Sequence, residues 1–236
     1  MKKILISGGN GEFAKQILKH NTQFQIFAPT KKEMDITKFE SIIKFIKKKK
    51  VNYFIHAAAL TKPMSQHDNK IEESIKTNII GTCNVVIACN LLKIKIIYIS
   101  TNFVYPGIKG NYKETDYLMP VNSYGWSKLG GECAVKLYKN SLILRICMTE
   151  DTYPHKIAYT NYITSFLKKS EAAKIILKLI NKKGIINIGG EKSSAYNFAK
   201  KNNKEIKKGI MPRNKNNLIG YNTSLNIKKL KLLNYF

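Results

Sequence analysis

The chain has 236 residues, is 44% hydrophobic, and carries 41 basic against 15 acidic side chains for a formal charge of +26. That length and apolar content suffice for one buried core with at most a small appended lobe. No run of about 18 apolar residues is present to cross a membrane, and MKKILISGG meets glycine too early for a secretory leader, so no membrane association and a cytoplasmic location are expected.

The charge invites a nucleic-acid partner, because clustered cations release counterions from phosphate backbones. Yet arginine occurs only at Arg145 and Arg213, and the other 39 basic residues are lysines, many at polar helix positions as in KFIKKKK (44–50). Specific readout of bases and phosphates favours the guanidinium fork. No nucleic acid is therefore expected, and the lysines read as a compositional bias that also helps capture an anionic ligand. Cys83, Cys89, Cys133 and Cys147 form no CxxC and lack histidines at zinc spacing, which reads as reduced packing residues and no metal.

In chain order, strands are predicted at 2–7 (KKILIS), 24–28 (FQIFA), 53–58 (YFIHAA), 95–100 (KIIYIS), 141–146 (SLILRI) and 184–189 (GIINIG). Between and after them, helical periodicity predicts helices at 11–19, 38–49, 70–92, 123–139, 170–181 and 194–202. Short apolar runs alternating with helices specify an α/β fold, a Rossmann-type doubly wound parallel sheet. The expected organisation is a dinucleotide-binding region over 1–148 and a small, shortened C-terminal substrate lobe over 149–236, with 170–202 returning a helix and a strand to the sheet. The last thirty-odd residues, rich in Lys and Asn, read as loosely structured apart from a helical LNIKKLKLL. Such a sheet binds its ligand beyond the carboxyl ends of its strands.

The first strand runs into Gly8-Gly9-Asn10-Gly11-Glu12-Phe13-Ala14. Gly8 suits a tight turn, Gly11 allows a pyrophosphate to approach the backbone, and Ala14 permits close packing of helix on strand. The second strand ends in Ala28-Pro29-Thr30-Lys31-Lys32, with no carboxylate before Glu33 to bind a ribose 2′-hydroxyl. Thr30 and Lys31 instead suit a 2′-phosphate, which favours NADPH, with NADH possible. HAAAL follows the third strand, and its small Ala57, Ala58 and Ala59 let a cofactor lie against the backbone.

In NSYGWSKLGGE (122–132) Tyr124 precedes Lys128 by four residues. A phenol titrates near pH 10, and an ammonium one helical turn away on the same face lowers that value enough for proton donation near neutrality. Taken alone, YxxxK is more often surface helix in a chain this rich in Lys and Tyr. Ser100-Thr101 ends the fourth strand, where the Thr101 hydroxyl is placed to bind a substrate carbonyl, and Asn78 lies on the preceding helix.

GGNGEFA, MDIT (34–37), HAAALT (56–61), TNIIGT (77–82), STNFVYPG (100–107) and PVNSYGWSKLGGE (120–132) together resemble the extended short-chain dehydrogenase/reductases. The arrangement is most similar to the dTDP-4-dehydrorhamnose reductase group, which reduces 4-keto-6-deoxy sugar nucleotides. IINIGGEKSSAYNFA and YNTSLNIKKL resemble that group's C-terminal segments. The resemblance implies that Tyr124 protonates the nascent alkoxide at C4, that Lys128 lowers its pKa and binds the nicotinamide ribose, that Thr101 orients the carbonyl, and that Asn78 supports a water-mediated proton path. It further implies cofactor contacts from Gly8, Asn10, Gly11, Glu12, Phe13, Thr30, Lys31, Asp35, Ile36, Ala57, Ala58, Ala59 and Ser100. Substrate contacts would come from Thr61, Asn102, Phe103, Tyr105, Arg145 and Lys192. The expected partner is a nucleotide sugar, with a homodimer as the assembly left open.

Three departures bear on function. Dehydrating relatives place Asp-Glu after the threonine, and this chain has Asn102-Phe103. Relatives that also epimerise carry a cysteine at Asn102 and a histidine further on, for which His155 in YPHK is the candidate; a combined or simple epimerase is the alternative activity. The helical insertion expected after Cys147 is replaced by TEDTYPHKIAYTNYITS, which trims the lobe. That trimming motivates an alternative of another class, a non-catalytic NADP-binding regulatory subunit, against which the intact Thr101, Tyr124 and Lys128 weigh. Arg213 and Tyr221–Ser224 are weaker candidates for diphosphate contacts. His20 and His67 read as lying in polar surroundings, His56 as a hydrogen-bonded core-edge residue, and Trp126 as lining the mouth of the site or merely covering its helix.

Overall fold

A computed structural model of the protein describes residues 1–212 and 220–234. Its centre is a parallel sheet of β1 (Lys3–Ser7), β2 (Gln25–Phe27), β3 (Tyr53–His56), β4 (Lys95–Thr101) and β5 (Ser141–Ile146). Four short strands follow, β6 (Met148–Thr149), β7 (Ile157–Tyr159), β8 (Ile163–Thr164) and β9 (Leu167–Lys168), before the sixth sheet strand, β10 (Gly184–Ile188). The order across the sheet is β10-β5-β4-β3-β1-β2. All six predicted strands are the six strands of this sheet. β3, β4 and β5 are buried along their whole length, as expected for strands covered on both faces.

The pleat sends alternate side chains to two separate cores. Ile4 and Ile6 join a cluster with Phe13 and Ile17 of α1 (Glu12–His20) and Ala172, Ile176 and Leu179 of α7 (Lys169–Leu179). Leu5 and Phe54 face the other way, toward Ile42 and Ile46 of α2 (Phe39–Lys49), Val85 and Ala88 of α5 (Gly81–Leu91) and Val135 of α6 (Ser123–Leu137). Helices on both faces make the sheet doubly wound. No described helix is long and apolar enough to cross a membrane.

Several expectations change. The predicted helix 70–92 is present as an unbroken helical run but is not α-helical throughout: α4 (Ile71–Ser74) passes through a π-helical stretch, Ile75–Ile80, into α5, and a separate short helix, α3 (Gln66–Asn69), precedes it. Of 170–202, α7 and β10 return to the sheet, but α8 (Ala195–Asn202) belongs to the lobe, where Tyr196 and Ala199 pack on Ala158 and Ile206. The lobe's remaining strands, β11 (Ser193–Ser194) and β12 (Lys207–Gly209), pair with β8 and β7. Cys133 is exposed rather than packed, and the four cysteines are free. The tail is not loose where it is described. Asn222 N donates to Gly107 O, Tyr112 N to Ser224 O, and Asn226 N to Tyr112 O, while Leu225 and Ile227, together with Leu230 of the short helix α9 (Lys228–Leu232), enter the first core.

The carboxyl ends of β1 and β3 are joined by a buried polar chain whose direction can be worked out. Thr82 Oγ1 donates to Asn78 O, so its oxygen accepts from His56 Nε2. His56 is then protonated on Nε2, and its Nδ1 accepts from Ser7 Oγ, which accepts in turn from Ala58 N. One imidazole tautomer thus ties both strand ends to the helical segment behind them. Burial holds His56 neutral, pushing its pKa down to about 3.

Two outcomes follow. Replacement Leu225→Ala should lower the unfolding free energy by about 2 to 4 kcal/mol in urea titrations, because it empties a buried site under the returning tail. The depressed histidine pKa means that unfolding binds a proton once the pH drops below the unfolded value near 6.5. Stability should be full above that value and fall toward pH 3, with a limiting slope of about 1.4 kcal/mol per pH unit. His56→Gln should be shallower by that slope between pH 6 and 5 in paired melts; equal slopes would show that His56 does not titrate as described.

Candidate active site

A cavity of about 700 Å³ opens beyond the carboxyl ends of β1, β3, β4 and β5, between the sheet and the lobe. Its floor is the turn Gly8–Phe13. Gly8 takes φ +78°, and a Cβ on Gly9 would lie 2.1 Å from the Ala28 carbonyl oxygen, so the steric demand falls on Gly8 and on Gly9, a position the sequence reading passed over. Gly11 caps α1 with extended backbone and no side chain, leaving the amide end of the helix facing the cavity that Asn10, Glu12 and Phe13 also line. Ala57, Ala58, Ala59 and Thr61 supply a second wall, and Lys31, Asp35 and Ile36 line the far end. Thr30 does not line it; its backbone amide donates to the Glu33 carboxylate at 2.8 Å. That contact holds the Glu33 carboxyl below its usual range and turns it to the chain rather than to a ribose.

The catalytic candidates sit where β4 meets α6. The side chain of Asn122 caps α6 by accepting from Gly125 N at 2.7 Å, which places Tyr124 in the first turn and Lys128 one turn later. A Cβ on Gly125 would meet the Phe103 carbonyl oxygen at 2.4 Å, so glycine there lets the helix close on the turn Asn102–Val104. Phe103 consequently lies edge-on to the Tyr124 ring, with centroids 6.1 Å apart. The Thr101 hydroxyl donates to Asn102 Oδ1 at 3.4 Å and accepts from Phe103 N at 3.2 Å, and it lies near enough to the Tyr124 phenol to favour its anion. Thr101, Asn102, Phe103, Tyr124 and Lys128 all line the cavity, as does Ser100, whose hydroxyl donates to Glu132.

The charge pattern differs from the expectation that Lys128 makes Tyr124 acidic. Burial raises the Tyr124 pKa to about 12, against a lowering by Thr101, and burial brings Lys128 down to about 7, opposed by Glu132. The Lys128 ammonium lies over the Tyr98 ring, 4.2 Å from its centroid. Desolvation outweighs the attraction that i, i+4 spacing suggests, because both groups have left water.

Several predicted site residues lie elsewhere. Arg145 is buried, its Nε and Nη2 on Glu132 and its Nη1 on Tyr105 Oη and Glu114 O, so it is an internal cation rather than a substrate ligand. Tyr105 is buried with it and stacks on Tyr112 at 4.8 Å. Lys192 borders a separate surface groove with Glu191, Lys228 and Lys231. Asn78 is behind the wall: its amide exchanges hydrogen bonds with both backbone groups of Leu60 and donates to Ser127 Oγ, which positions the loop before Thr61 and α6. Trp126 is exposed and off the cavity wall, while Arg213 falls outside the described residues.

Other residues have surroundings that the linear pattern does not show. His67 is buried, not in polar surroundings: its ring packs on Tyr124 with centroids 5.2 Å apart, and its Nδ1 is 2.7 Å from Ser74 Oγ. The lobe wall is aromatic, with Tyr153, Tyr159, Tyr162 and Phe166, and His155 beside Tyr153. Glu150 accepts from both Lys62 and Lys169 at the cavity margin. The motif-free spacing of these residues along TEDTYPHKIAYTNYITSF carried no signal beyond its tyrosine content.

The sequence matches the family described as RmlD substrate binding domain over residues 1–182. It is 29% identical over 181 residues to a dTDP-4-dehydrorhamnose reductase of Aggregatibacter actinomycetemcomitans, covering 75% of this chain and 60% of the relative. It is 32% identical over 146 residues to a GDP-6-deoxy-D-talose 4-dehydrogenase of the same organism, covering 58% of this chain and 48% of the relative. The chain thus spans less than two thirds of the length of either. The fold superposes on a crystal structure of a Bacillus anthracis dTDP-4-dehydrorhamnose reductase in complex with NADP at a TM-score of 0.90 and 24% identity, covering all of this chain and 94% of that one. The glycine turn, the threonine that ends β4 and the Tyr-Lys pair of α6 all lie within the matched span, and the chain belongs to the RmlD substrate binding domain family.

Proposed function

We propose that the chain reduces the C4 ketone of a nucleotide-linked 4-keto-6-deoxy sugar with NADPH, in synthesis of a deoxyhexose. The observation that carries this reading is the convergence of Thr101, Tyr124 and Lys128 on the cavity whose floor is the Gly8–Phe13 turn. The residues present suit a dinucleotide: a turn free of side chains, an exposed helix amide end and three small residues after β3. Lys31 at the far end, with Glu33 turned away to Thr30, favours a 2′-phosphate over a bare ribose. The nicotinamide, when bound, supplies the hydride.

The chain's own residues then handle the proton. The Thr101 hydroxyl, which lines the cavity with Tyr124, orients the ketone oxygen. Tyr124 keeps its proton because burial disfavours phenolate. It can still deliver it, since an alkoxide is a stronger base than phenolate even at pKa about 12; water itself has a pKa of about 15.7. Lys128, one turn on, supplies positive charge toward the phenolate left behind. The aromatic lobe wall excludes water from the reacting ketone. Asn102, a neutral amide, offers no base beside the ketone, so reduction without epimerisation is the reading. A regulatory subunit without turnover would have no use for a proton donor buried in the cavity beside Thr101.

Purified protein with NADPH should consume a 4-keto-6-deoxy sugar nucleotide from a panel of nucleotides and epimers, with the C4 hydroxyl identified by NMR. Cofactor binding with no turnover on any member would favour the subunit reading instead. Tyr124→Phe should lower kcat by at least about 100-fold, as loss of a general acid does; activity within a few-fold of the parent removes Tyr124 as the donor. NADPH should support a higher kcat/KM than NADH, and a tenfold preference for NADH would reverse the cofactor assignment.

A further inference from the structure

The carboxylate of Glu132 is clamped more tightly than the stability of a helix requires. It is 2% exposed. Its Oε1 accepts from Arg145 Nε at 3.0 Å and Nη2 at 2.6 Å, and its Oε2 accepts from Ser100 Oγ at 2.6 Å. Arg145 is fixed from its other side by Tyr105 Oη at 2.7 Å and Glu114 O at 3.0 Å, so the pair has little room to turn. A buried ion pair is seldom the most stable filling for such a site, since apolar residues of similar volume often serve as well or better. Its position explains it better: Glu132 lies one helical turn beyond Lys128, on the same face of α6.

We propose that Glu132 is a positioning residue that keeps the Lys128 ammonium charged for proton transfer at Tyr124, with Arg145 and Ser100 holding the carboxylate in place. This deepens the reductase reading and rests on it. The surroundings of Lys128 leave the task to Glu132. From β4 it meets the face of Tyr98, a buried phenol whose pKa lies well above normal. From β3 it acts on His56, which is neutral. On α6 itself, Tyr124 is a protonated phenol, and the His67 of α3 that packs on Tyr124 has its pKa lowered by burial. Arg145 of β5 is a cation engaged by Glu132. Among the described residues, Glu132 is the carboxylate that acts on Lys128, opposing the burial that drives it toward the neutral amine. A neutral Lys128 would have no charge to offer the phenolate.

Glu132→Gln alone strands Arg145 as a buried unpaired cation and is expected to fold poorly. The informative variant is therefore Glu132→Gln with Arg145→Met, which removes the pair as a unit. In protein carrying ¹³C-labelled lysine, the Lys128 resonance, assigned through Lys128→Met, should titrate about one pH unit lower in the double variant than in the parent. Glu132→Asp, which keeps the charge, should stay near the parent value. With an active substrate in hand, the alkaline limb of kcat/KM should move down by the same interval. An unmoved Lys128 titration overturns the proposal, as does a loss of rate with the alkaline limb in place, which would mean a purely structural pair. If no keto sugar is reduced, the reductase reading fails while the NMR titration still decides whether Glu132 governs the charge of Lys128.

Discussion

Polar side chains are buried at the carboxyl edge of the sheet, and each must find a partner there or cost stability. The Arg145–Glu132 ion pair is the most demanding case, since neither group can be left alone. It ties β5 to α6, and through Ser100 it reaches the end of β4, one residue from Thr101. The placement of Tyr124 in the cavity with Thr101 depends on α6 lying where this pair and the Gly125–Phe103 contact hold it. The Ser7–His56–Thr82 chain does the same for β1, β3 and the helical segment that carries Asn78.

Burial also sets the chemistry of the site. A surface tyrosine one turn from a lysine would feel mainly the lysine. Here water is excluded from both, so the phenol becomes a weaker acid and the ammonium a stronger one, and the two drift toward their neutral forms. Such a pair is suited to holding a proton until charge develops beside it. Neighbouring hydroxyl and carboxylate groups then matter more than the tyrosine–lysine spacing itself.

The lobe shows how very short strands can still enclose a cavity. The residues after Cys147 contribute two-residue and three-residue strands that pair with one another and with the returning tail, and they present aromatic rings to the site. Strands so short have no detectable period in sequence. Their register comes from partners as far away as Asn222, which bridges to Ile163.

The fold was legible because its signals are local. Apolar runs of five or six residues alternate with helical periodicity, glycines follow β1, and Asn122 opens α6, so strands, helices, the glycine turn, Thr101, Tyr124 and Lys128 could be read from neighbours in the chain. Arg145, Tyr105 and Lys192 were misjudged because residue type alone does not say whether a cation meets a ligand, a buried carboxylate or solvent. His67 was misread, and Glu132 and the aromatic lobe wall carried no signal, for the same reason: their partners lie far from the residues in the linear motifs, or on other elements. What the sequence by itself determined is the order of elements and the spacing of groups along each one. The tertiary structure decided which of those groups leave water together, and desolvation, acting across elements rather than along them, sets their charge.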